Sequence, residues 1–127
     1  MSFFLSERSR RKLSLVHKDL TLLAEAAIKV TQVDFAVTEG LRTLQRQEEL
    51  LKARATTTMA SRHLTGHAID IAAIVNGKAD WHPALYFHIA DAFLSEAAKL
   101  QIKICWGGNW RTFRDYCHIE LDRKFYP

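Results

Sequence analysis

Residues 61–75 read SRHLTGHAIDIAAIV, where a polar segment with two histidines runs directly into an apolar, β-branched segment. The second half, Ala68 to Val75, is typical of a buried β-strand, and the Asn76-Gly77 pair after it is a strong turn signal. One carboxylate, Asp70, interrupts this strand. Because an ionised carboxylate is costly to bury unless it is paired or binds a metal, Asp70 predicts an arginine partner or a metal site.

Helical and strand-like segments alternate on both sides of this strand. Apolar residues at helical spacing predict a short helix capped at Ser6, then helices over His17–Val30 with Asp19 as N-cap, Leu41–Arg54 and Trp81–Leu100. Alternating patterns predict strands at 33–38, 102–106 and 117–121, and the polar run 56–58 predicts a loop. Two of these strands follow each other without a helix. The predicted fold is therefore α+β, a small antiparallel sheet with flanking helices.

The length and composition of the chain limit the classes of protein to which it can belong. The chain has 127 residues, of which 48% are hydrophobic and 25% charged, which predicts a single globular domain over residues 1–127. No apolar run approaches the ~18–20 residues of a membrane span, so we expect no transmembrane segment. Two cysteines are too few for a disulfide scaffold.

The charge balance is mildly basic, with 18 Lys+Arg against 14 Asp+Glu and a net charge of +4. This surplus suits a polyanionic partner. The basic residues are scattered without an aromatic-basic stripe, so nucleic acid is not the predicted partner. The apolar stretch 3–5 is too short for the core of a signal peptide, and we expect no Sec-type export signal.

A second polar cluster occupies residues 115–120, DYCHIE. In a strand, His118 and Glu120 share one face. Two imidazoles and one carboxylate, from His63, Asp70 and His118, form a donor set suited to Zn²⁺ with an open fourth position. Zinc lowers the pKa of a bound water toward ~7. Catalysis also needs a carboxylate that is not a ligand, and residues 115 and 120 both qualify.

Three competing readings use the histidines and cysteines differently. His63 and His67 stand four residues apart, but Gly66 between them disfavours the helix such a pair requires. Cys117 beside His118 suggests a thiol nucleophile, but neighbouring strand residues point to opposite faces. A zinc site of Cys105, Cys117 and His118 would lack the paired short spacing of structural zinc sites. We expect both cysteines to be small core residues.

Three segments together resemble one family. Residues 61–70 resemble the SxHxxGxAxD motif of zinc peptidases of the D-Ala-D-Ala carboxypeptidase and L-alanyl-D-glutamate endopeptidase family. Residues 106–121, WGGNWRTFRDYCHIEL, resemble its second motif, and 37–42, VTEGLR, its substrate-arginine segment. The likeness spans roughly residues 13–122. Within the family, the chain resembles compact phage and prophage endolysins that cut the L-alanyl-D-glutamate bond of peptidoglycan.

The resemblance implies a hedgehog/DD-peptidase-like fold and a role for each matching residue. One Zn²⁺ per chain would be held by His63, Asp70 and His118. Asp115 would be the catalytic acid/base, and Arg42 would contact the substrate or the developing oxyanion. The supporting residues would be Ser61, Glu120, Trp106 and Trp110, with core packing as the alternative for the two tryptophans. Two departures are Cys117, where proline is common, and Glu39, where a small residue is common.

The resemblance thus implies a zinc-dependent endopeptidase that acts as a monomer on the stem peptide of peptidoglycan. The alternatives are a D-Ala-D-Ala carboxypeptidase or dipeptidase, and a non-catalytic cell-wall-binding module on the same fold. Asp115 favours an enzyme, because a binding module does not need a non-ligand carboxylate there. Without a signal peptide, such an enzyme would remain in the host cytoplasm until the membrane is opened. The positive charge would then attract it to the anionic envelope.

Overall fold

Four helices and one five-stranded antiparallel sheet make up the computed structural model, which describes residues 2–56 and 61–127. The helices are α1 (Glu7–Leu13), α2 (Lys18–Val30), α3 (Leu44–Lys52) and α4 (Pro83–Leu100). The strands are β1 (Phe35–Glu39), β2 (Ala68–Val75), β3 (Lys78–Asp80), β4 (Ile104–Trp106) and β5 (His118–Leu121). Two 3₁₀ turns cover Arg62–Thr65 and Gly107–Asn109. The predicted α+β class is confirmed.

The sheet has the order β1-β2-β5-β4, and β3 pairs with β2. In β2, Ile69 and Ile71 are buried in the core formed with α2 and α4, as the alternation predicted. Asp70 therefore lies on the opposite face. Helices α2 and α4 cover the face of β2 that carries Ile69 and Ile71, and Asp70 lies on the other face between the buried residues Ala68 and Ala72.

Register places the predicted site residues side by side. Asp70 is paired with His118 of β5 on one side and with Glu39 of β1 on the other. The register of β1 against β2 shifts between Val37 and Glu39, a β-bulge of the kind that redirects a side chain. Three polar residues from distant parts of the sequence thus form a row across the sheet.

Helix α1 covers the edge of the sheet next to β1. Ser6 caps α1 as predicted, because its side chain accepts a hydrogen bond from the backbone N–H of Ser9. The hydroxyl of buried Ser9 in turn accepts the backbone N–H of Val37 at 2.9 Å, which satisfies a donor of this edge strand. The basic side chains of α1, at Arg8, Arg10 and Arg11, are exposed.

Three predicted helix starts were wrong. Helix α4 begins at Pro83 after the cap His82, not at Trp81. Asp19 does not cap α2: His17 does, because its Nδ1 accepts the backbone N–H of Asp19 at 3.0 Å. Helix α3 begins at Leu44 after the cap Thr43, not at Leu41. The reason is that the backbone N–H of Arg42 donates to the carbonyl of His63 at 2.9 Å, which commits this segment to tertiary contacts.

The predicted turn at Asn76-Gly77 is confirmed, with φ values of 54° and 77°. Positive φ at both positions matches a tight hairpin turn. Strand β3 after it was not predicted, because Lys78–Asp80 is too short and polar to show an alternating pattern. Most of the predicted loop at 56–58 lies outside the described residues. No helix within the described ranges is both long and apolar enough to cross a membrane.

Candidate functional site

Three predicted ligands converge on the face of the sheet opposite the helices. The Oδ1 atom of Asp70 lies 3.2 Å from Nε2 of His63 and 3.2 Å from Nδ1 of His118. One donor atom from each residue lies within 4.8 Å of the others, so these three residues can hold a metal ion. Both imidazoles are buried, at 2% and 6% exposure.

His63 is oriented by the turn that carries it. Ser61 caps this 3₁₀ turn by accepting the backbone N–H of His63, and Gly66 ends it in the left-handed region at φ 74°. The Nδ1–H of His63 donates to the carbonyl oxygen of Gly40 at 2.9 Å. Because a carbonyl only accepts, this bond leaves the lone pair of His63 on Nε2.

That Nε2 atom is buried and has no hydrogen-bond partner among the described residues, although Asp70 Oδ1 is 3.2 Å away. A ring nitrogen and a carboxylate oxygen at this separation are held together by a cation between them, either a metal ion or a second proton on the ring. The bond from Nδ1 to Gly40 thus leaves Nε2 as the atom of His63 that can bind a metal.

His118 is held between two carboxylates, with Nε2 2.8 Å from Glu120 Oε1 and Nδ1 facing Asp70. The shared strand face of His118 and Glu120 is as predicted. Burial lowers the pKa of His118, but hydrogen bonds to Asp70 and Glu120 outweigh it and raise that pKa to about 9. Burial raises the pKa of Asp70, but its hydrogen bond with His118 holds that pKa well below the usual range.

Arg42 lies beside the cluster with its guanidinium fork already engaged. Its Nε and Nη2 donate to the two carboxylate oxygens of Glu39, both at 2.7 Å. Its Nη1 donates to Gln47 Oε1 at 2.7 Å and to the Ser61 hydroxyl at 3.5 Å. Its Nη2 also lies 3.7 Å from Asp70 Oδ2. Asp70 thus has both an arginine partner and a metal-capable cluster.

Sequence reasoning missed two partners of Arg42. The sequence marked Glu39 only as a departure from the family pattern. In the structure, Glu39 accepts hydrogen bonds from the guanidinium of Arg42, the group that was expected to contact the substrate. Gln47 is fully buried in α3, and nothing in its spacing distinguishes it from the exposed polar residues of that helix. The three-residue separation of Glu39 and Arg42 predicts a salt bridge only on a helix, and neither residue lies in one.

Asp115 lies close to the cluster without belonging to the His63–Asp70–His118 set. Its Oδ1 accepts the S–H of Cys117 at 3.0 Å. Burial, and next the carboxylates of Asp70 and Asp115, raise the pKa of the Cys117 thiol far above its usual range, so the thiol remains a donor. With both His118 nitrogens facing carboxylates, this arrangement does not support a Cys–His nucleophile.

The two glycines of the WGG motif make room for the protein's own atoms. A Cβ at Gly107 would overlap the carbonyl oxygen of Asp115 and lie 3.1 Å from the Cβ atoms of Asp115 and His118. A Cβ at Gly108 would overlap the indole of Trp106. The space beside both glycines is therefore filled by the protein's own atoms and is not open to a substrate backbone.

Gly107→Ala is expected to destabilise the protein by about 1–3 kcal/mol, because the added methyl overpacks the turn that carries Asp115 and His118. Chemical denaturation measures the loss, and the NMR shifts of the His118 ring report displacement of the site. Gly77→Ala is the control, since at φ 77° it strains the backbone but meets no atom within 4 Å. An unchanged His118 ring in Gly107→Ala would contradict this packing role.

The two tryptophans have different surroundings. Trp106 is 4% exposed and its Nε1–H donates to the carbonyl of Tyr116 at 2.8 Å, as expected for the core-packing alternative. The ring of Trp110 lies 5.0 Å from the ring of His118, centroid to centroid. Only Trp110 of the pair lines the cavity around the cluster, so it alone is placed to contact a ligand.

One cavity of about 760 Å³ unites the predicted site. Its lining includes Arg42, Ser61, His63, Asp70, Trp110, Asp115, His118 and Glu120. A volume of this size is large enough to hold a peptide fragment of several residues. Apart from Trp106, the structure therefore brings all the predicted site residues to one open cavity.

Comparisons with known proteins identify the family of the chain. The family model described as phage L-alanyl-D-glutamate peptidase matches residues 1–127. The L-alanyl-D-glutamate peptidase of Escherichia phage T5 is 32% identical over 131 residues, covering 99% of this chain and 94% of the phage protein. The peptidoglycan L-alanyl-D-glutamate endopeptidase CwlK of Bacillus subtilis is 32% identical over 121 residues, covering 76% of this chain and 66% of CwlK.

A solved structure shows the same fold. The L-Ala D-Glu endopeptidase ChiX of Serratia marcescens superimposes with a TM-score of 0.92 and 38% sequence identity, covering 98% of this chain and 94% of ChiX. Sequence and fold agree over nearly the whole length. The chain belongs to the phage L-alanyl-D-glutamate peptidase family.

Proposed function

We propose that this chain is a zinc-dependent peptidoglycan endopeptidase, a single catalytic domain over residues 1–127 that hydrolyses the L-alanyl-D-glutamate bond of the stem peptide. The observation that carries the proposal is the convergence of His63, Asp70 and His118 in an open cavity, with Asp115 beside them. Family membership supports the substrate, and the substrate implies that the enzyme acts at the cell wall.

The donor set fits one zinc ion. His63 would bind through Nε2, the buried atom without a hydrogen bond, and His118 through Nδ1, with Asp70 supplying a carboxylate oxygen. The other ring nitrogen of each histidine is hydrogen-bonded, that of His118 to Glu120 and that of His63 to the Gly40 carbonyl. Metal-binding histidines commonly have such partners. When bound, zinc supplies Lewis acidity toward the scissile carbonyl and the attacking water.

Asp115 is the residue we assign to proton transfer. It takes a proton from the attacking water and later delivers it to the amine of the leaving glutamyl residue. The S–H of Cys117 fixes Oδ1 of this carboxylate, and backbone bonds between Asp115 and both Gly107 and His118 fix the segment. Asp115 is thereby held in one orientation before substrate arrives.

Arg42 acts through position and charge. Its hydrogen bonds to Glu39, Gln47 and Ser61 hold the guanidinium against Asp70. This fixed positive charge lies near the place where negative charge develops on the scissile carbonyl oxygen, which stabilises the transition state. Because Nε and Nη2 of Arg42 are hydrogen-bonded to Glu39, these two nitrogens cannot also bind a substrate carboxylate in this arrangement.

The direct test is hydrolysis of purified peptidoglycan with and without a chelator, followed by mass spectrometry of the products. We expect new amino groups on D-glutamate, lost in the chelator and restored by added zinc. Release of free D-alanine would instead indicate the carboxypeptidase. Binding to the wall without any new terminus would indicate a non-catalytic module, and both outcomes would overturn the proposal.

A further inference from the structure

We propose that Arg114 determines specificity by binding the free carboxylate of the glutamyl residue on the leaving side of the scissile bond. This inference rests on the proposed function and names a contact for the part of the substrate that departs. Arg114 is a cationic side chain that takes no part in metal binding or in proton transfer.

The substrate chemistry requires such a contact. Glutamate has two carboxyl groups, and the peptide continues through only one of them. The other is a carboxylate within a few bonds of the nitrogen that becomes the leaving amine, unless it is converted to a carboxamide. A cavity that accepts this residue must therefore either solvate the carboxylate or pair it, and arginine pairs carboxylates bidentately.

The cavity is lined by five arginines, and most are already engaged. They are Arg42, Arg54, Arg62, Arg114 and Arg123. The guanidinium of Arg42 is hydrogen-bonded to Glu39. Arg62 donates to the carbonyl oxygens of Leu121 at 3.3 Å and Tyr126 at 2.6 Å, which fixes the C-terminal segment. Arg123 has an interaction of its own.

The side chains of Arg54 and Arg114 form no hydrogen bond or ion pair with any residue in the described ranges, and both residues are exposed. Among the described residues, none of the carboxylates near the metal cluster pairs with either arginine, and Asp115 accepts the S–H of Cys117. Glu39 is paired with Arg42, and Asp70 and Glu120 face His118. An unpaired guanidinium at the wall of the cavity is free to meet an anion from the substrate.

Proximity to the leaving amine distinguishes Arg114 from Arg54. Asp115 must approach that amine to protonate it, so the glutamyl residue begins next to Asp115. Arg114 directly precedes Asp115 in the chain and lines the same cavity. Arg54 follows α3, an element that supplies neither a proposed metal ligand nor the proton-transfer residue. The geometry therefore assigns the carboxylate to Arg114.

The test uses two synthetic stem-peptide fragments that differ only in the glutamyl side group, a carboxylate in one and a carboxamide in the other. We expect the zinc-loaded wild type to prefer the carboxylate. In Arg114→Gln, kcat/KM for the carboxylate substrate falls about 10- to 100-fold, mainly through KM, while that for the carboxamide is unchanged. The preference between the two substrates is thereby lost.

Two matched variants complete the experiment. Arg111→Gln removes a charge from an exposed position in the same segment that does not line the cavity, and it should retain the wild-type preference. Arg54→Gln should also retain it. Loss of the preference in Arg54→Gln, or equal losses on both substrates in Arg114→Gln, would overturn the inference.

Failure of the proposed function gives a different result. In that case the wild type cleaves neither fragment between alanine and the glutamyl residue. If the wild type cleaves both fragments equally well, the proposed function stands and only the assignment of Arg114 is wrong. Thermal denaturation of each variant verifies that loss of an exposed side chain has left the fold intact.

Discussion

Asp115→Asn is expected to lower kcat for L-alanyl-D-glutamate hydrolysis by about 10²–10⁴-fold, the usual contribution of a positioned general base. The asparagine amide cannot accept the proton of the attacking water. It can still accept the S–H of Cys117 through its oxygen, and the backbone bond from Asp115 to Gly107 is unaffected. The zinc content and the free energy of unfolding should therefore remain close to those of the wild type.

Elemental analysis, chemical denaturation and a peptide-hydrolysis assay measure these three quantities on the same preparation. Glu120→Gln is the matched comparison, because Glu120 is the other carboxylate that the sequence offered as a base. Glu120 orients His118 through a 2.8 Å contact, so its loss should weaken zinc binding as well as activity. A near-normal rate in Asp115→Asn would transfer the role of base to Glu120.

The site residues were predictable individually, but their contacts were not. Asp70 was identified because one carboxylate in an apolar strand is energetically conspicuous. Its pairing with His118, 48 positions along the chain, depends on the register of β2 against β5, and a slip of one residue would turn every side chain to the other face. Sequence periodicity specifies which residues share a face, and tertiary packing specifies which strands are neighbours.

The contact of the Arg42 guanidinium with Glu39 is likewise not predictable from the sequence. The family resemblance placed Arg42 at the site, but its contact with Glu39 is created by the bulge at the end of β1 and by the bond from Arg42 N–H to the His63 carbonyl. Gly107 is similar. Its lack of a side chain was evident, but whether substrate or protein fills that space depends on where residues 115–118 pack.

Contacts that span the chain also decide where elements begin. Local sequence favoured a helix from Leu41, but the hydrogen bond from the backbone N–H of Arg42 to the His63 carbonyl keeps this segment out of the helix, and α3 begins at Leu44. Strand β3 exists because the tight turn returns three residues along β2, although those residues alone have little strand propensity. The elements that could be predicted were those with a strong hydrophobic periodicity of their own, which long-range contacts do not override.

His118→Ala is expected to abolish zinc binding and, with it, hydrolysis. It removes one of three ligands and leaves Asp70 and Glu120 without the imidazole they share. His67→Ala is the matched control: this residue lies four positions after His63, does not line the cavity, and pairs with the Thr65 hydroxyl at 2.6 Å. Zinc retained by His118→Ala, or lost from His67→Ala, would mean that the ligand set is wrong.

The protons released on zinc binding give a second, independent measurement of the same assignment. Because the two carboxylates raise the pKa of His118 to about 9 without metal, its ring is protonated at neutral pH. Zinc binds only the neutral ring, so each ion bound at pH 7 should displace one proton from it, in addition to any proton lost by zinc-bound water, and affinity should rise at least about tenfold per pH unit until pH approaches that pKa. Isothermal titration calorimetry in buffers of different ionisation enthalpy counts this proton. His67→Ala should release it as the wild type does, whereas an affinity independent of pH between 7 and 9 would exclude His118 as a ligand.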